Sequence, residues 1–367
     1  MNIAYRFRIY PTEEQKIFLG KTFGCCRFLY NQMLNDKIQE YEKTKKMLKN
    51  TPAMYKEEYP FLKEVDSLAL ANVQLHLEKA YKNFFRDPKI GFPKFKSKHH
   101  SRNSYTTNVV NGNILVESKR IRLPKLKWIA MKKHREPAEG LWLKSVTVSM
   151  EPSGKYFASL LYEGYSCENQ AVVSDYSTAK ILGIDYAMQG MAVFSEKVET
   201  EEAGFFRKNE KRLAREQRKL SRCVRGSHNY ELQKKKVARC HEKIRNQRRD
   251  YLHKLSRRIT DQYDIVAVED IDMKAMSQCL HFGKSVQDNG YGMFRNMLDY
   301  KLAWKGKEFV KVDRFFPSSK KCSKCGKIKK ELKLSERVYH CACGNEMDRD
   351  RNAAINIREE ARRILIA

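Results

Sequence analysis

The sequence predicts a multidomain α/β protein: a β-rich N-terminal part carrying a helical insert, then buried strands with a cysteine ribbon inserted near the end. Three observations predict it. Residues 3–10 and 104–163 read as short strands separated by turn residues, enough to close a small β-barrel. Two wholly apolar runs, Ile181-Leu-Gly-Ile and Ile265-Val-Ala-Val, have the composition of strands covered on both faces. Cys322-Ser-Lys-Cys325 and Cys341-Ala-Cys343 come just before an alanine-rich helical stretch. At 367 residues the chain has room for two or three cores.

Charge narrows the class of partner. Lys and Arg number 73 against 44 acidic residues, a net charge of +29. So lopsided a balance exceeds what a solubilising surface needs and points to nucleic acid. No run approaches the roughly 18 apolar residues of a membrane span, so no membrane partner is expected. The opening Met1-Asn-Ile-Ala-Tyr-Arg has no signal-peptide h-region, and a cytoplasmic, nucleoid-associated location is expected. Four of the ten cysteines form the Cys-x-x-Cys and Cys-x-Cys pairs and the others are scattered. That usage suits a reducing compartment with one metal site better than a disulfide scaffold.

In chain order, Ile3–Tyr10 alternates as a strand with basic residues on one face. Thr12 as N-cap and Gln15 three residues on make a capping box. Ile17, Phe18, Phe23, Phe28, Leu29, Met33 and Leu34 are the expected core positions of the helix it opens. A second helix starts at Asp66-Ser67, with Val73, Leu77, Ala80 and Phe84 at helical spacing. Gly91-Phe-Pro-Lys-Phe-Lys-Ser-Lys98 interleaves basic and aromatic residues. It reads either as a linker or as a loop that tracks phosphates through Lys94, Lys96 and Lys98 and stacks on bases; the interleaving favours the second. Strands are expected at Ile114–Val116, Ile121–Leu123, Ser145–Met150 and Tyr156–Tyr162, the last two a hairpin around Pro152-Ser-Gly154. A polar linker follows over 166–178.

Residues 207–258 hold 20 basic and 5 acidic side chains, about half of the net charge. Leu213, Leu220, Val237, Ile244, Tyr251, Leu255 and Ile259 recur near helical or heptad spacing, which predicts a two-helix hairpin broken at Arg225-Gly-Ser-His-Asn229. Charge signs barely alternate along it, so Arg212, Arg215, Arg248 and Arg249 are candidate nucleic-acid contacts rather than a merely solvated face. Phe309–Val312 is a further strand before the ribbon and final helix.

Asp185 and Glu269 each follow an apolar run and so stand at strand carboxyl ends. Asp348 and Asp350 fall at the N-terminal end of the last helix, where negative charge is favoured. A single such acid is commonly a cap or an ion-pair partner. Three in the order strand, strand, helix suggest a shared use. Carboxylates gathered at one sheet edge hold two divalent ions, Mg²⁺ or Mn²⁺, about 3.5–4 Å apart, which clamp a phosphate and activate an in-line water. Cys322, Cys325, Cys341 and Cys343 have the look of a four-thiolate zinc ribbon, structural because a closed site has no open position. The Cys-x-Cys half is tighter than usual, which keeps His340 as an alternative ligand. His99, His100, His228, His241 and His253 have no partner at ligand spacing.

The motifs Tyr5-Arg-Phe-Arg-Ile-Tyr-Pro11, Ala80-Tyr-Lys-Asn-Phe-Phe85, Gly91–Lys98, Gly183-Ile-Asp185, Asn246–Leu255, Val268-Glu-Asp270, Phe316-Pro-Ser-Ser319 and Asp348–Ala354 span almost the whole chain. With them the sequence resembles the TnpB nucleases of insertion sequences, RNA-guided relatives of type V CRISPR effectors. The resemblance implies a wedge-like β-barrel (1–10 and 101–165), a helical recognition insert (11–100) and a RuvC-like, RNase H-fold nuclease domain (179–315 and 345–367). The basic hairpin (207–260) would lie within the last, and the zinc ribbon would be 316–344. It implies that Asp185, Glu269 and Asp350 are the catalytic, metal-holding acids. A guide RNA derived from the transposon end would select double-stranded DNA beside a short motif read by the protein, acting as a monomer. Family residues that read this motif match Ser67, Ala71, Asn72, Thr106 and Thr107; Ser67 and Ala71 are small, which implies a different motif. The Cys-x-Cys spacing occurs in part of the family, and a tail beyond the last helix is expected to be absent. Two rival functions remain on the same motifs: a guided repressor that does not cut, and an RNA-independent transposase.

Overall fold

Alternation in β1 (Asn2–Tyr10) buries Phe7 and Ile9 on one face and leaves Arg6 and Arg8 on the other. The computed structural model describes residues 2–164, 175–176, 178–187, 190–200, 204–272, 290–333 and 335–366. Two units divide the chain, residues 1–167 and 168–367. Most of the expected linker, 166–178, lies outside the described residues. None of the described helices is long and apolar enough to cross a membrane.

In the first unit, α1 (Glu13–Thr44), the short α2 (Tyr55–Glu58) and α3 (Ser67–Arg86) precede β2 (Asn103–Asn108), β3 (Leu115–Val116), β4 (Arg120–Leu123), β5 (Lys127–Lys132), β6 (Leu141–Met150) and β7 (Tyr156–Gly164). The capping box forms: Thr12 Oγ1 accepts from Gln15 N–H and Gln15 Oε1 accepts from Thr12 N–H. Gln15 Nε2 also donates to the carbonyls of Leu126 and Trp128, tying the helix start to the β4–β5 turn. Leu19, Phe23, Leu29, Met33 and Leu34 are buried, but Ile17 is 66% exposed. Two residues before Leu19, it lies about 200° around the helix, on the far side.

The seven strands pair antiparallel in the order β2-β6-β7-β1-β5-β4-β3. Among the described residues no pairing joins β2 to β3, the two ends of this curled sheet. Closure is not needed to hide the apolar face, because Phe23, Leu29 and Leu77 of the helices share one core with Phe7, Ile129, Val146, Val148 and Leu160 of the strands. Asp66 caps α3 through Leu68 N–H with one carboxylate oxygen, and the other accepts from the fully buried Thr107 hydroxyl.

The second unit contains β8 (Ile181–Ala187), β9 (Met191–Phe194), α4 (Phe205–Ser221), α5 (His228–Gln262), β10 (Ile265–Glu269), α6 (Tyr291–Trp304), β11 (Glu308–Val312), β12 (Val338–His340), β13 (Glu346–Asp348) and α7 (Arg349–Ile366). β11, β10 and β8 run parallel, and β9 adds antiparallel to β8. Parallel strands buried on both faces need two covering layers. Ile357 and Ala361 of α7 pack on Ile181, Ile265, Ala267, Val310 and Val312. Leu252, Leu255 and Ile259 of α5, with Phe294 and Leu298 of α6, cover Leu182, Ile184, Val266 and Val268 on the opposite face. The α4–α5 hairpin forms with its break at residues 222–227, closed on a small core of Leu213, Cys240 and Ile244.

Replacing Thr107 by Val keeps the shape and strands one buried oxygen of Asp66. Urea denaturation of the full chain should register a loss of about 1–3 kcal/mol.

Candidate active site

β8 and β10 pair in parallel with Ala267 beside Gly183 and Val268 beside Ile184, so Asp185 and Glu269 follow at the same carboxyl-terminal edge. Side chains alternate along a strand. Asp185 shares a face with Ile181, and Glu269 with Ile265 and Ala267; this is the face on which α7 packs. Asp350 lies in the first turn of α7, and Asp348 Oδ1 caps that turn by accepting from Arg351 N–H at 2.9 Å.

The backbone makes this convergence tight. A Cβ on Gly183 would lie 2.0 Å from the Ala354 carbonyl oxygen and 2.8 Å from Arg358 N. Only a glycine lets α7 sit directly on β8, two residues before Asp185. Asn352 and Asn356, buried on the same helix, take no part in this contact.

Burial and like charge dominate at Asp185. Burial raises the Asp185 carboxyl to about 8, with further increases from Glu269 and Asp350; the Tyr186 N–H and Arg349 oppose the shift. Burial also raises Glu269. Neighbouring Asp270, by contrast, is paired with Arg295 at 3.5 Å and Arg314 at 3.4 Å. Asp185, Glu269 and Asp350 are half-buried, and among the described residues none of them forms an ion pair of its own. Oxygen ligands of this kind suit divalent cations, although among the described residues only the four cysteines have ligand atoms within 4.8 Å of one another. Tyr291, 1% exposed, adds a phenol raised by burial and by Asp185.

A second constellation lies in the ribbon. The sulfurs of Cys322, Cys325, Cys341 and Cys343 all lie within 4.8 Å of one another. Cys322 and Cys343 are 3.7 Å apart, as are Cys325 and Cys341. A tetrahedral ion with Zn–S bonds of about 2.3 Å requires S···S edges of about 3.8 Å, so the four thiols fit a zinc ribbon. For Cys322, burial would raise the thiol, but the N–H groups of Cys325 and Lys324 and the Asn345 amide outweigh it and bring it to about 6. Cys343 receives the Asn345 N–H, yet burial and three neighbouring sulfurs push it up to about 12. His340 is not among the converging ligands: its Nδ1 faces Glu346 across the β12–β13 hairpin at 3.6 Å.

The nucleic-acid candidates divide. Ser67, Lys94, Lys98, Arg212, Arg215 and Arg249 are exposed, and Ala71, Thr106 and Arg248 are half-buried. Thr106 shares a hydrogen bond with Thr147 at 2.8 Å. Asn72 and Thr107 are corrected as surface contacts: both are buried, with Asn72 Nδ2 donating to Leu68 O and Thr107 bound to Asp66. Lys96 is corrected as a freely tracking lysine. Its ammonium sits 3.8 Å from the Tyr30 ring centroid, and its backbone exchanges two hydrogen bonds with Asn31.

The fold and these two constellations define a class: a parallel-stranded domain with an acidic site at its carboxyl edge and a four-cysteine ribbon running into the helix that carries the third acid. Comparison with known proteins narrows it. Residues 164–280 match a family described as "Probable transposase", 291–357 match "Cas12f1-like, TNB domain", and 1–46 match "Helix-turn-helix domain". Within the last span the structure has one strand and one long helix. A Streptomyces pristinaespiralis protein named "Putative RNA-guided DNA endonuclease" is 34% identical over 96% of this chain and 88% of its own length. Escherichia coli K12 has one named "Putative RNA-guided DNA endonuclease InsQ", 30% identical over 92% and 87%. The CRISPR-associated endodeoxyribonuclease Cas12f1 of Sulfoacidibacillus thermotolerans is 29% identical over 53% and 48%. A solved Cas12f1–sgRNA–target DNA complex shares the fold, with a TM-score of 0.61 over 98% of both chains at 15% identity. The chain belongs to the TnpB family.

Gly183→Ala should destabilise the full chain by about 1–3 kcal/mol, the usual cost of overpacking, visible as a lowered Tm. Asp185 binds more protons folded than unfolded between its ordinary 3.8 and about 8, so the protein free of Mg²⁺ loses stability as pH rises through that window. Asp185→Asn removes the effect. The Tm difference, variant minus wild type, should grow from about pH 4 and level off above about pH 8, measured with the ribbon metal retained.

Proposed function

We propose that this chain is an RNA-guided DNA endonuclease whose active site is formed by Asp185, Glu269 and Asp350. The observation that carries the reading is the placing of Asp185 and Glu269 at one edge of two adjacent parallel strands, with Asp350, in the first turn of the helix packed on them, raising Asp185 electrostatically. The relatives named RNA-guided DNA endonuclease support the reaction class and the partners. The partners are a guide RNA from the transposon end and double-stranded DNA beside a short motif. The first unit serves as the wedge-like module with its helical recognition part, and the second as the RuvC-like, RNase H-type nuclease with an inserted ribbon. Zinc in the ribbon is structural.

Mg²⁺ or Mn²⁺, when bound, supplies Lewis acidity and a nucleophilic water at neutral pH. Asp185 and Glu269 hold their oxygens on one sheet edge, and α7 brings Asp350 from above that face. Asp185 must lose its proton to serve as a ligand, so binding of a divalent ion releases protons near neutrality. Water attacks phosphorus in line, leaving a 5′-phosphate and a 3′-hydroxyl. One site cuts the two strands in turn. The exposed arginines of the α4–α5 hairpin supply phosphate contacts, which weaken as salt rises.

The test is to purify the protein from its native locus, sequence the RNA that accompanies it and assay cleavage on a library of flanking motifs. A defined RNA from the element's end, with Mg²⁺-dependent double-strand cleavage, is expected. Asp185→Ala should keep guided binding and lower cleavage at least about a thousandfold, as a loss of some 4 kcal/mol of transition-state stabilisation. Guided binding by the wild type without any product would make it a repressor. Strand joining without RNA would make it a transposase.

A further inference from the structure

The C-terminal helix α7 carries two features that its packing on the sheet does not explain. Asn352 is fully buried and Asn356 is 3% exposed. Asparagine is a weak helix former, and at mid-helix its amide competes with the backbone. Two of them four residues apart lie on one face of the helix, away from the Ala354–Ile357–Ala361 contacts with the sheet.

Their hydrogen bonds have one destination. Asn352 Oδ1 accepts from Ser323 N–H at 3.0 Å, and its Nδ2 donates to Lys321 O at 2.7 Å. Asn356 Nδ2 donates to Lys321 O at 2.6 Å and to Ser318 O at 2.7 Å. Lys321 and Ser323 are the residues on either side of Cys322, the first thiol of the ribbon. The other thiol pair, Cys341 and Cys343, leads through β13 directly into the first turn of α7. The ribbon therefore grips the helix twice, sideways through the asparagines and end-on through the chain. A metal joining the four sulfurs closes the loop between the two grips.

We propose that Asn352 and Asn356 are positioning residues through which the four-cysteine ribbon sets the axial placement and rotation of α7, and so the carboxylate of Asp350. This rests on the reading of Asp350 as an acid of the divalent-ion site. A shift of one residue along a helix moves a side chain by about 1.5 Å and turns it by about 100°. Even a fraction of that is large for a metal ligand. Partners behind metal ligands commonly govern affinity by about 10–100-fold, and coupling between two sites is reciprocal.

The experiment uses the full chain with zinc in the ribbon and reads Mn²⁺ binding at the acids by electron paramagnetic resonance. Ribbon integrity is read separately from the thiolate charge-transfer band after Co²⁺ substitution. Asn352→Ala with Asn356→Ala should leave the Co²⁺ band unchanged and weaken Mn²⁺ binding at least about tenfold. Among single variants, Mn²⁺ affinity should fall in the order Asn356→Gln, Asn356→Ala, Asn356→Asp. Glutamine keeps the donor, whereas aspartate sets a carboxylate against two carbonyls. Asn352→Ala alone, which spares both bonds of Asn356, should give a smaller loss in the same direction. Wild-type Mn²⁺ affinity in the double variant with an intact Co²⁺ band overturns the proposal; so does equal affinity across the single variants. Asp185→Ala, measured in parallel, separates the two readings: unchanged Mn²⁺ binding there removes the acid site itself, whereas loss there with wild-type binding in the asparagine variants removes the latch alone.

Discussion

Everything at the candidate site depends on the backbone-to-backbone approach of α7 and β8 at Gly183. Any side chain at that position would meet the Ala354 carbonyl. The approach brings a helix N-terminus over the strand ends and sets Glu269 and Asp350 near enough to Asp185 to raise its carboxyl beyond the effect of burial. The result is an electrostatically frustrated cluster, seen in the upward shift of Asp185. Frustration of that kind is stable only because the surrounding apolar layers over-determine the geometry: α5 and α6 on one face, α7 on the other. The acids do not hold the fold together. The fold holds the acids together.

The ribbon follows the same logic with softer ligands. Its sulfurs are preorganised at the edge length of a tetrahedral site, which suits a cation that ties folding to metal binding. Both constellations store like charge in a rigid frame, carboxylates for hard ions and thiolates for a borderline one. They sit at the two ends of a short stretch of chain, Cys341 to Asp350.

Much of this was legible in the sequence because it is local. An apolar run ending in an acid fixes both strand identity and the acid's place at the strand end, which is why Asp185 and Glu269 stood out. The Thr12–Gln15 cap and the cysteine spacings are likewise short-range chemistry. What stayed hidden depends on partners far away in the chain. How the seven strands curl was not legible, because it is decided by which elements cover the apolar face. Lys96 looks like its basic neighbours until Tyr30 and Asn31, more than sixty residues earlier, are placed beside it. Asn72 and Thr107 carry surface-type side chains whose burial is set by tertiary contacts. Gly183 and Asn352 lay within recognised motifs and Asn356 two residues beyond one, but only their neighbours in space give them a role. Helix α6 had a usable signal in Tyr291, Phe294, Met297, Leu298 and Leu302, which fall on one face at helical spacing.

The α4–α5 hairpin has a consequence of its own. It concentrates about half of the chain's excess positive charge on two helices whose shared core is little more than Leu213, Cys240 and Ile244. As a polyelectrolyte it is strained by self-repulsion when bare, and counterions relieve that strain. Salt therefore steadies this hairpin by screening, and a polyanion laid along it would do the same more strongly, acting as part of its architecture.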